Sequence, residues 1–226
     1  MNQDAETKTV FKFLDAQLLV NRVRSSPSHL LAHNIALAKG AFERYNLARV
    51  EPKSFTFSSG DQSLSIDNAV LGTIPKRLLF TMVKHTEFLG SVTTNPYHFR
   101  HYDQSSFALN VNGRQVLTEG LSLGMIHEKT SVMGSRTLFQ VSGIHHSKSG
   151  LQITHDMYIK GYFMLLCDLT PDRVACDGHT SHPDNGNIRV ELKCRKPLPE
   201  TITCIFYLEY DNSVRVDASR TVKTDF

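Results

Sequence analysis

The sequence has no tryptophan and only four cysteines among its 226 residues. It also lacks any apolar run approaching the 18 residues that a membrane-spanning helix needs, which argues against a helical membrane protein. The first residues, MNQDAET, are polar and have no apolar core like that of a secretory signal. We therefore expect a protein that is not secreted, with its cysteines as reduced thiols.

Clustered charge is scarce as well. Lysine and arginine number 25 against 22 acidic residues, giving a net charge of +3, and the densest basic group is Lys193, Arg195 and Lys196. A nucleic-acid groove would show as a basic stripe, so we expect no sequence-specific nucleic-acid partner. Hydrophobic residues make up 40% of the chain, which is enough apolar material for a core and unlike the composition of a disordered chain.

What the sequence does contain is a series of short strand patterns separated by turn signals. They fall at 11–23, 49–58, 78–83, 107–111, 114–117, 162–169, 188–194, 202–210 and 214–217. Regular spacing of this kind is typical of a sandwich or jelly roll rather than of βαβ units. The predicted fold is all-β: a single jelly roll, meaning a two-sheet antiparallel sandwich, with one or two short helices. We predict a disordered tail over 1–10 and one jelly-roll domain over 11–226.

Two of these patterns are especially clear. Ile188, Val190, Leu192 and Cys194 alternate with charged residues, as in a half-buried strand. Asn112-Gly113 tolerates the positive φ angles of a type I′ turn and predicts a hairpin.

Outside the strand patterns, Ser28 and Gly40 delimit a predicted helix at 29–39, expected to pack on a sheet edge. A second helix is predicted at 118–127. We interpret 131–149 as loop and irregular strand, and 171–186 as an exposed loop.

One enzyme motif is present. Residues 120–124, GLSLG, match the G-x-S-x-G pattern in which Ser122 would be a nucleophile, and His179 and His182 follow later in the chain. That chemistry requires the serine on a sharp turn between a parallel strand and a helix. The sequence has neither alternating βα units nor a glycine-rich oxyanion segment, so a serine hydrolase is the third hypothesis, and we predict no catalytic residues and no enzymatic activity.

The polar loop contains three zinc-type ligands, Cys176, His179 and His182, in a C-x₂-H-x₂-H run. Structural zinc sites usually have four ligands in paired knuckles, and no second pair is nearby. We therefore predict no metal and no cofactor, and keep these three residues as weak metal candidates. Cys167, Cys194 and Cys204 lie in apolar strand patterns and are interpreted as core residues.

Aromatic residues gather in one short stretch, with Tyr97, Phe99 and Tyr102 close together in the sequence NPYHFRHY. Aromatic groups of this kind are frequent in carbohydrate- and protein-binding surfaces. A ligand-binding jelly-roll module is therefore the second hypothesis.

Four stretches resemble a known family. They are LVNRV at 19–23 with AHN at 32–34 and RVEPKSFT at 49–56; DNAVLGTIPKRL at 67–78; NPYHFRHY at 95–102; and YFMLLCDLTPD at 162–172 continuing through GNIRVEL at 186–192 to YDN at 210–212 and TDF at 224–226. In order and spacing they resemble the C-terminal half of the double-jelly-roll major capsid protein of Polinton (Maverick) elements and adintovirus-like viruses.

This resemblance implies a structural capsid function and a location in a virion or in the interior of a host cell (cytoplasm or nucleus). Members of that family carry two jelly rolls and form trimers that tile a shell, so the partners implied are further copies of the chain or a partner jelly roll. The chain departs from the family in two ways: it has about half the family's length, lacking the first jelly roll, and 117–154 matches poorly. A truncated, partial or host-derived copy of the capsid gene is therefore also implied.

Overall fold

The structure, a computed structural model, describes residues 12–116, 121–122, 128–144, 150–175 and 182–224. The chain divides into two compact units. The first comprises Arg49–Tyr210, and the second combines the chain up to Ala48 with Asp211 onward. The predicted tail at 1–10 lies outside the described residues, and the domain range 11–226 stays a prediction.

Within the described residues, the helices are α1 (Pro27–Ala38), α2 (His85–Phe88), α3 (Glu128–Val141) and α4 (His155–Gly161). The strands are β1 (Glu43–Phe57), β2 (Ser63–Thr73), β3 (Arg77–Lys84), β4 (Gln104–Val111), β5 (Arg114–Gln115), β6 (Leu121–Ser122), β7 (Met164–Asp168), β8 (Asn185–Cys194), β9 (Ile202–Val216) and β10 (Val222–Thr224). In the part of the chain that the structure describes, no helix is both long enough and apolar enough to cross a membrane.

These strands form two sheets whose order differs from the chain order. One sheet runs β1-β9-β3-β7, with β10 paired to β9, and the other runs β2-β8-β4-β5, with β6 paired to β4. The pairs whose register is defined are antiparallel. The predicted all-β, two-sheet antiparallel sandwich is thereby confirmed.

The core lies between the sheets of the first unit. Phe80 on β3 is fully buried, and its ring centre lies 5.0 Å from that of Phe107 on β4 and 5.2 Å from that of Phe206 on β9. Because these three aromatic residues come from both sheets, their contact joins the two layers.

The clearest sequence patterns are confirmed. Ile188, Val190, Leu192 and Cys194 of β8 are buried, at 0–2% exposure. The β4–β5 hairpin turns at Asn112 and Gly113, whose φ angles are 52° and 75°, as a type I′ turn requires. The predicted strand at 78–83 is β3, which pairs with β7 on one side and β9 on the other.

The predicted strand at 11–23 is wrong, because residues 12–26 form neither helix nor strand. We call residues 12–26 the arm. Its large apolar side chains are 66–92% exposed: Phe13, Leu14, Leu18, Leu19, Val20 and Val23. Alternation shows which side chains would share a face, but a strand also needs a neighbouring backbone to bond with, and residues 12–26 have no ladder partner in the structure.

The first predicted helix is confirmed as α1, with Ser26 rather than Ser28 at its N-cap. The Ser26 hydroxyl accepts a hydrogen bond from the His29 amide at 3.4 Å, and Pro27 occupies the first turn. No residue of α1 is buried, so the expected packing of its apolar face on a sheet edge is not found.

The interpretation of 131–149 as loop and irregular strand is wrong for 131–141, which belong to α3, whereas 145–149 lie outside the described residues. Helix α3 contains β-branched residues and Gly134, which lower intrinsic helix propensity. Tertiary contacts offset this: Leu138 is buried, and the Thr137 hydroxyl accepts a hydrogen bond from the Leu166 amide of β7 at 3.3 Å. The separate strand predicted at 214–217 is the end of the longer β9.

Candidate functional site

Ser122, the candidate nucleophile, lies in β6, where it pairs antiparallel with Ser106 of β4. A nucleophile elbow is a sharp turn between a strand and a helix, whereas Ser122 is part of an extended ladder. Gly120, Gly124 and His179 lie outside the described residues. The backbone at Ser122 therefore differs from the one that the motif predicts.

Of the zinc candidates, Cys176 and His179 lie outside the described residues. His182 is exposed, and its Nδ1 donates to the Pro183 carbonyl at 2.8 Å. Among the residues that the structure describes, no group of three or more His, Cys, Asp or Glu side chains could hold a metal ion. The zinc hypothesis is therefore left untested.

Three cysteines are free and buried, as expected of core residues: Cys167, Cys194 and Cys204. Burial raises the pKa of Cys167 to about 12 and that of Cys194 to about 11. Only the thiolate is a strong nucleophile, so these two thiols are unreactive at neutral pH.

The first unit contains an ion-pair cluster formed by Lys84, Glu87, Arg100 and Glu200, of which Glu87 is buried. The Arg100 guanidinium reaches two carboxylates, Glu87 Oε1 at 2.8 Å and Glu200 Oε1 at 2.9 Å. The Arg100 amide also donates to the Met82 carbonyl of β3 at 3.0 Å. The guanidinium and the backbone amide of Arg100 are thereby both held in place. These bonds keep the connection between α2 and β4 against β3.

Glu200 completes the cluster. Its Oε2 accepts from Lys84 Nζ at 2.7 Å, and its Oε1 accepts from the Tyr102 hydroxyl at 3.1 Å. Burial alone would raise the pKa of Glu200, but the hydrogen bonds from Lys84 and Tyr102 outweigh it and hold the pKa below its usual value. Glu200 is therefore a stable carboxylate at neutral pH and is better suited to fixing the loop than to transferring protons.

A cleft of about 380 Å³ opens beside this cluster, lined by His98, His101 and Tyr102 on one side and by Ile159, Lys160 and Gly161 of α4 on the other. Gly161 has φ +153°, and a Cβ there would lie 2.5 Å from the His98 ring. Only glycine allows α4 to approach the His98 side chain this closely.

The aromatic stretch divides between this cleft and the surface. Tyr97 is 68% exposed and contacts Phe99 edge-on, with ring centres 6.4 Å apart. The Phe99 amide donates to the Gly161 carbonyl at 2.9 Å, and Tyr102 lines the cleft. The three residues therefore do not form one continuous aromatic platform.

Sequence reasoning missed the ion-pair cluster. Glu87 and Glu200 lie 13 and 100 residues from Arg100, and no local pattern links them. Arg100 itself lies in NPYHFRHY, so the aromatic residues of this stretch and its resemblance to a family were the signals that pointed to this loop.

A second kind of candidate site is an exposed apolar surface. The arm and α1 lie in the second unit, and Leu30, Leu31 and Ile35 of α1 are 47–63% exposed, in addition to the apolar side chains of the arm. Exposed apolar side chains in such number are typical of interaction surfaces.

Comparison with known proteins gives few relatives by sequence. No protein-family profile matches the chain. An uncharacterized protein of Caenorhabditis elegans is 21% identical over 222 residues, which cover 95% of this chain and 52% of that protein.

Solved structures are more informative about the fold. The crystal structure of PBCV-1 VP54, fitted into a reconstruction of the virophage Sputnik, matches with a TM-score of 0.51 and 13% identity, over 82% of this chain and 52% of that one. The fold of the chain is therefore a jelly roll. The PBCV-1 virus capsid also matches, with a TM-score of 0.46 and 11% identity, over 82% of this chain and 52% of that chain. The chain thus spans about half the length of these relatives.

Proposed function

We propose that the chain is a structural, non-enzymatic protein of capsid type, which acts through association with other jelly rolls in a virion or a host cell. The partners are further copies of the chain or a partner jelly roll, in an assembly of the trimeric capsomer type. The finer assignment, to the second jelly roll of a Polinton or adintovirus-like major capsid protein, rests on the four sequence stretches quoted above.

The observation that carries this proposal is the combination of a capsid-type jelly roll with the apolar arm. Burying a large apolar side chain contributes about 1.5–3 kcal/mol, so the six exposed ones of the arm offer on the order of 10 kcal/mol. The loss of translational and rotational freedom on association costs roughly 4–15 kcal/mol. The arm alone therefore comes close to offsetting that cost, and the exposed residues of α1 add to it.

Sizing chromatography with light scattering tests the proposal. We expect a mass that rises with protein concentration to a multiple of 25.5 kDa. A variant carrying Leu18→Ser, Leu19→Ser and Val20→Ser should shift to the monomer, because these changes remove the apolar area that association would bury.

A matched control changes the same residue types elsewhere. Leu71, Leu89 and Val92 are 68–75% exposed and lie in the first unit, and their joint replacement by serine should leave the association intact. A monomer at every concentration, or equal loss of association in both triple variants, would contradict a role for the arm.

A further inference from the structure

Residues 98–103, which we call the histidine loop, contain two imidazoles in the cleft. His101 Nδ1 accepts a hydrogen bond from the Asp103 amide at 2.9 Å. A backbone amide can only donate, so this bond requires a neutral imidazole with its proton on Nε2. The ring also packs edge-on against the buried Phe163, with ring centres 6.4 Å apart.

His98 is held in a similar way. Arg100 Nη2 lies 3.4 Å from His98 Nδ1, and Lys160 O lies 3.2 Å from His98 Nε2. A guanidinium can only donate and a carbonyl can only accept, so His98 Nδ1 is the acceptor and Nε2 carries the proton.

The backbone of the histidine loop depends on these acceptors. Tyr102 and Asp103 are consecutive and have φ angles of 45° and 48°, a left-handed conformation that residues other than glycine rarely adopt. The hydrogen bond to His101 Nδ1 lies inside this turn. The Asp103 carbonyl accepts from the Arg195 amide at 3.0 Å, so the turn also connects to the end of β8.

We propose that the histidine loop is an acid-sensitive latch: protonation of His101 breaks the hydrogen bond that its Nδ1 accepts and releases the loop from the cleft. The charged groups that surround the loop are Lys84, Glu87, Arg100, Asp103, Lys160 and Glu200. Glu87 and Glu200 already pair with Arg100, and Glu200 also pairs with Lys84. Asp103 is the one carboxylate that acts on His101.

The direction of the pH effect follows from burial. Burial lowers the pKa of His101 below 6.5, and Asp103 offsets this only in part. In a released loop the imidazole regains its ordinary pKa, about 6.5. Below that pH the released form binds the proton more readily, so acidification favours release and neutral pH favours the closed loop.

Hydrogen exchange at pH 7.5 and pH 5.0, corrected for intrinsic rates, tests this latch. The amides to follow are those of Phe99, Arg100 and Asp103, which bond to the Gly161 carbonyl, the Met82 carbonyl and His101 Nδ1. Their protection should fall about tenfold or more at pH 5.0, whereas amides of β8 keep theirs. That tenfold change is an effect of about 1.4 kcal/mol.

Two variants separate the latch from general acid destabilisation. His101→Asn keeps a side-chain oxygen that can accept from the Asp103 amide, as asparagine does in turns, but it does not titrate, so the loss of protection should largely disappear. His182→Asn changes an exposed histidine of another segment and should leave the loss unchanged.

Equal loss of protection in the unaltered protein and in His101→Asn would overturn the proposal, as would no loss at all. If His101→Asn fails to fold, NMR titration of the imidazoles in the unaltered protein decides: a pKa of 6.5 or above for His101 contradicts the latch. Both readouts are local to the loop and do not depend on association of the chain.

Discussion

In residues 49–210, large apolar side chains such as Leu64, Ile66 and Val190 are at most 4% exposed, whereas in the arm Leu18 and Leu19 are 89–90% exposed. Both regions have aliphatic residues in alternating or clustered patterns. They differ in partners: the strands of the sandwich have neighbours on the ladder and an opposite sheet, and the arm has neither. Apolar side chains therefore form a core only where the backbone N–H and C=O groups of the same residues also find hydrogen-bond partners.

The largest effect is expected when a phenylalanine is replaced by alanine in each of the two regions. Phe80→Ala should lower the free energy of unfolding by about 3–5 kcal/mol, because it leaves a cavity between Phe107 and Phe206. Phe13→Ala in the arm, where the ring is 92% exposed, should change the free energy of unfolding by less than about 0.5 kcal/mol. Urea unfolding of both variants under monomeric conditions measures this, and similar losses would contradict the assigned burial.

A smaller effect on stability is expected when an aspartate is replaced by alanine in each unit. The two aspartates accept similar sets of hydrogen bonds. Asp168 is buried and accepts from the Thr170 amide, the Thr170 hydroxyl and the Ala175 amide at 2.6–2.9 Å. Asp168→Ala should lower the free energy of unfolding by about 2–4 kcal/mol, because it leaves buried hydrogen-bond donors without acceptors.

Asp217 provides the matched control. It accepts from the Ser219 amide, the Ser219 hydroxyl and the Thr221 amide in a turn of the second unit. Those donors can bond to water, so in thermal unfolding of both variants Asp217→Ala should lower the midpoint clearly less than Asp168→Ala. An equal shift in midpoint would show that the turn of the second unit is as essential as the buried one.

The smallest effect concerns helix caps. Thr154 caps α4, accepting from the Met157 amide at 3.3 Å, and α4 buries Tyr158. Thr154→Ala should cost about 1 kcal/mol. Ser26→Ala removes the corresponding cap from α1, which buries no residue, and should reduce helicity measured by circular dichroism without changing global unfolding. A loss of global stability in Ser26→Ala would show that α1 belongs to the cooperative core.

The parts of the fold that could be predicted are those that depend only on residues close together in the sequence. Alternation in β8 and the Asn112-Gly113 turn each require only neighbouring residues, and both were predicted correctly. Helix α3 was missed because its contacts with β7 come from residues about 30 positions later, such as Leu166. These contacts override a weak local propensity.

The candidate site was predictable only in part, for the same reason. Arg100 stood in a quoted stretch, but its carboxylate partners Glu87 and Glu200 come from α2 and from the turn before β9. Charged residues in a sequence resemble ordinary surface residues until the fold brings them together. The behaviour of the histidine loop likewise could not be predicted from the sequence, because it depends on the tautomers that the Asp103 amide and the Arg100 guanidinium impose on His101 and His98.

The strand order of the two sheets has a consequence for synthesis on the ribosome. β8 lies between β2 and β4, and β9 lies between β1 and β3, so each sheet receives a central strand from beyond residue 184. Translation adds about 5–20 residues per second, so several seconds pass between the synthesis of the first four strands and that of β8 and β9. During this time the first four strands have unpaired edges, which are prone to aggregate. Neither sheet can be completed before β8 and β9 have emerged, so the strand order itself delays the protection of the edges of β1 to β4.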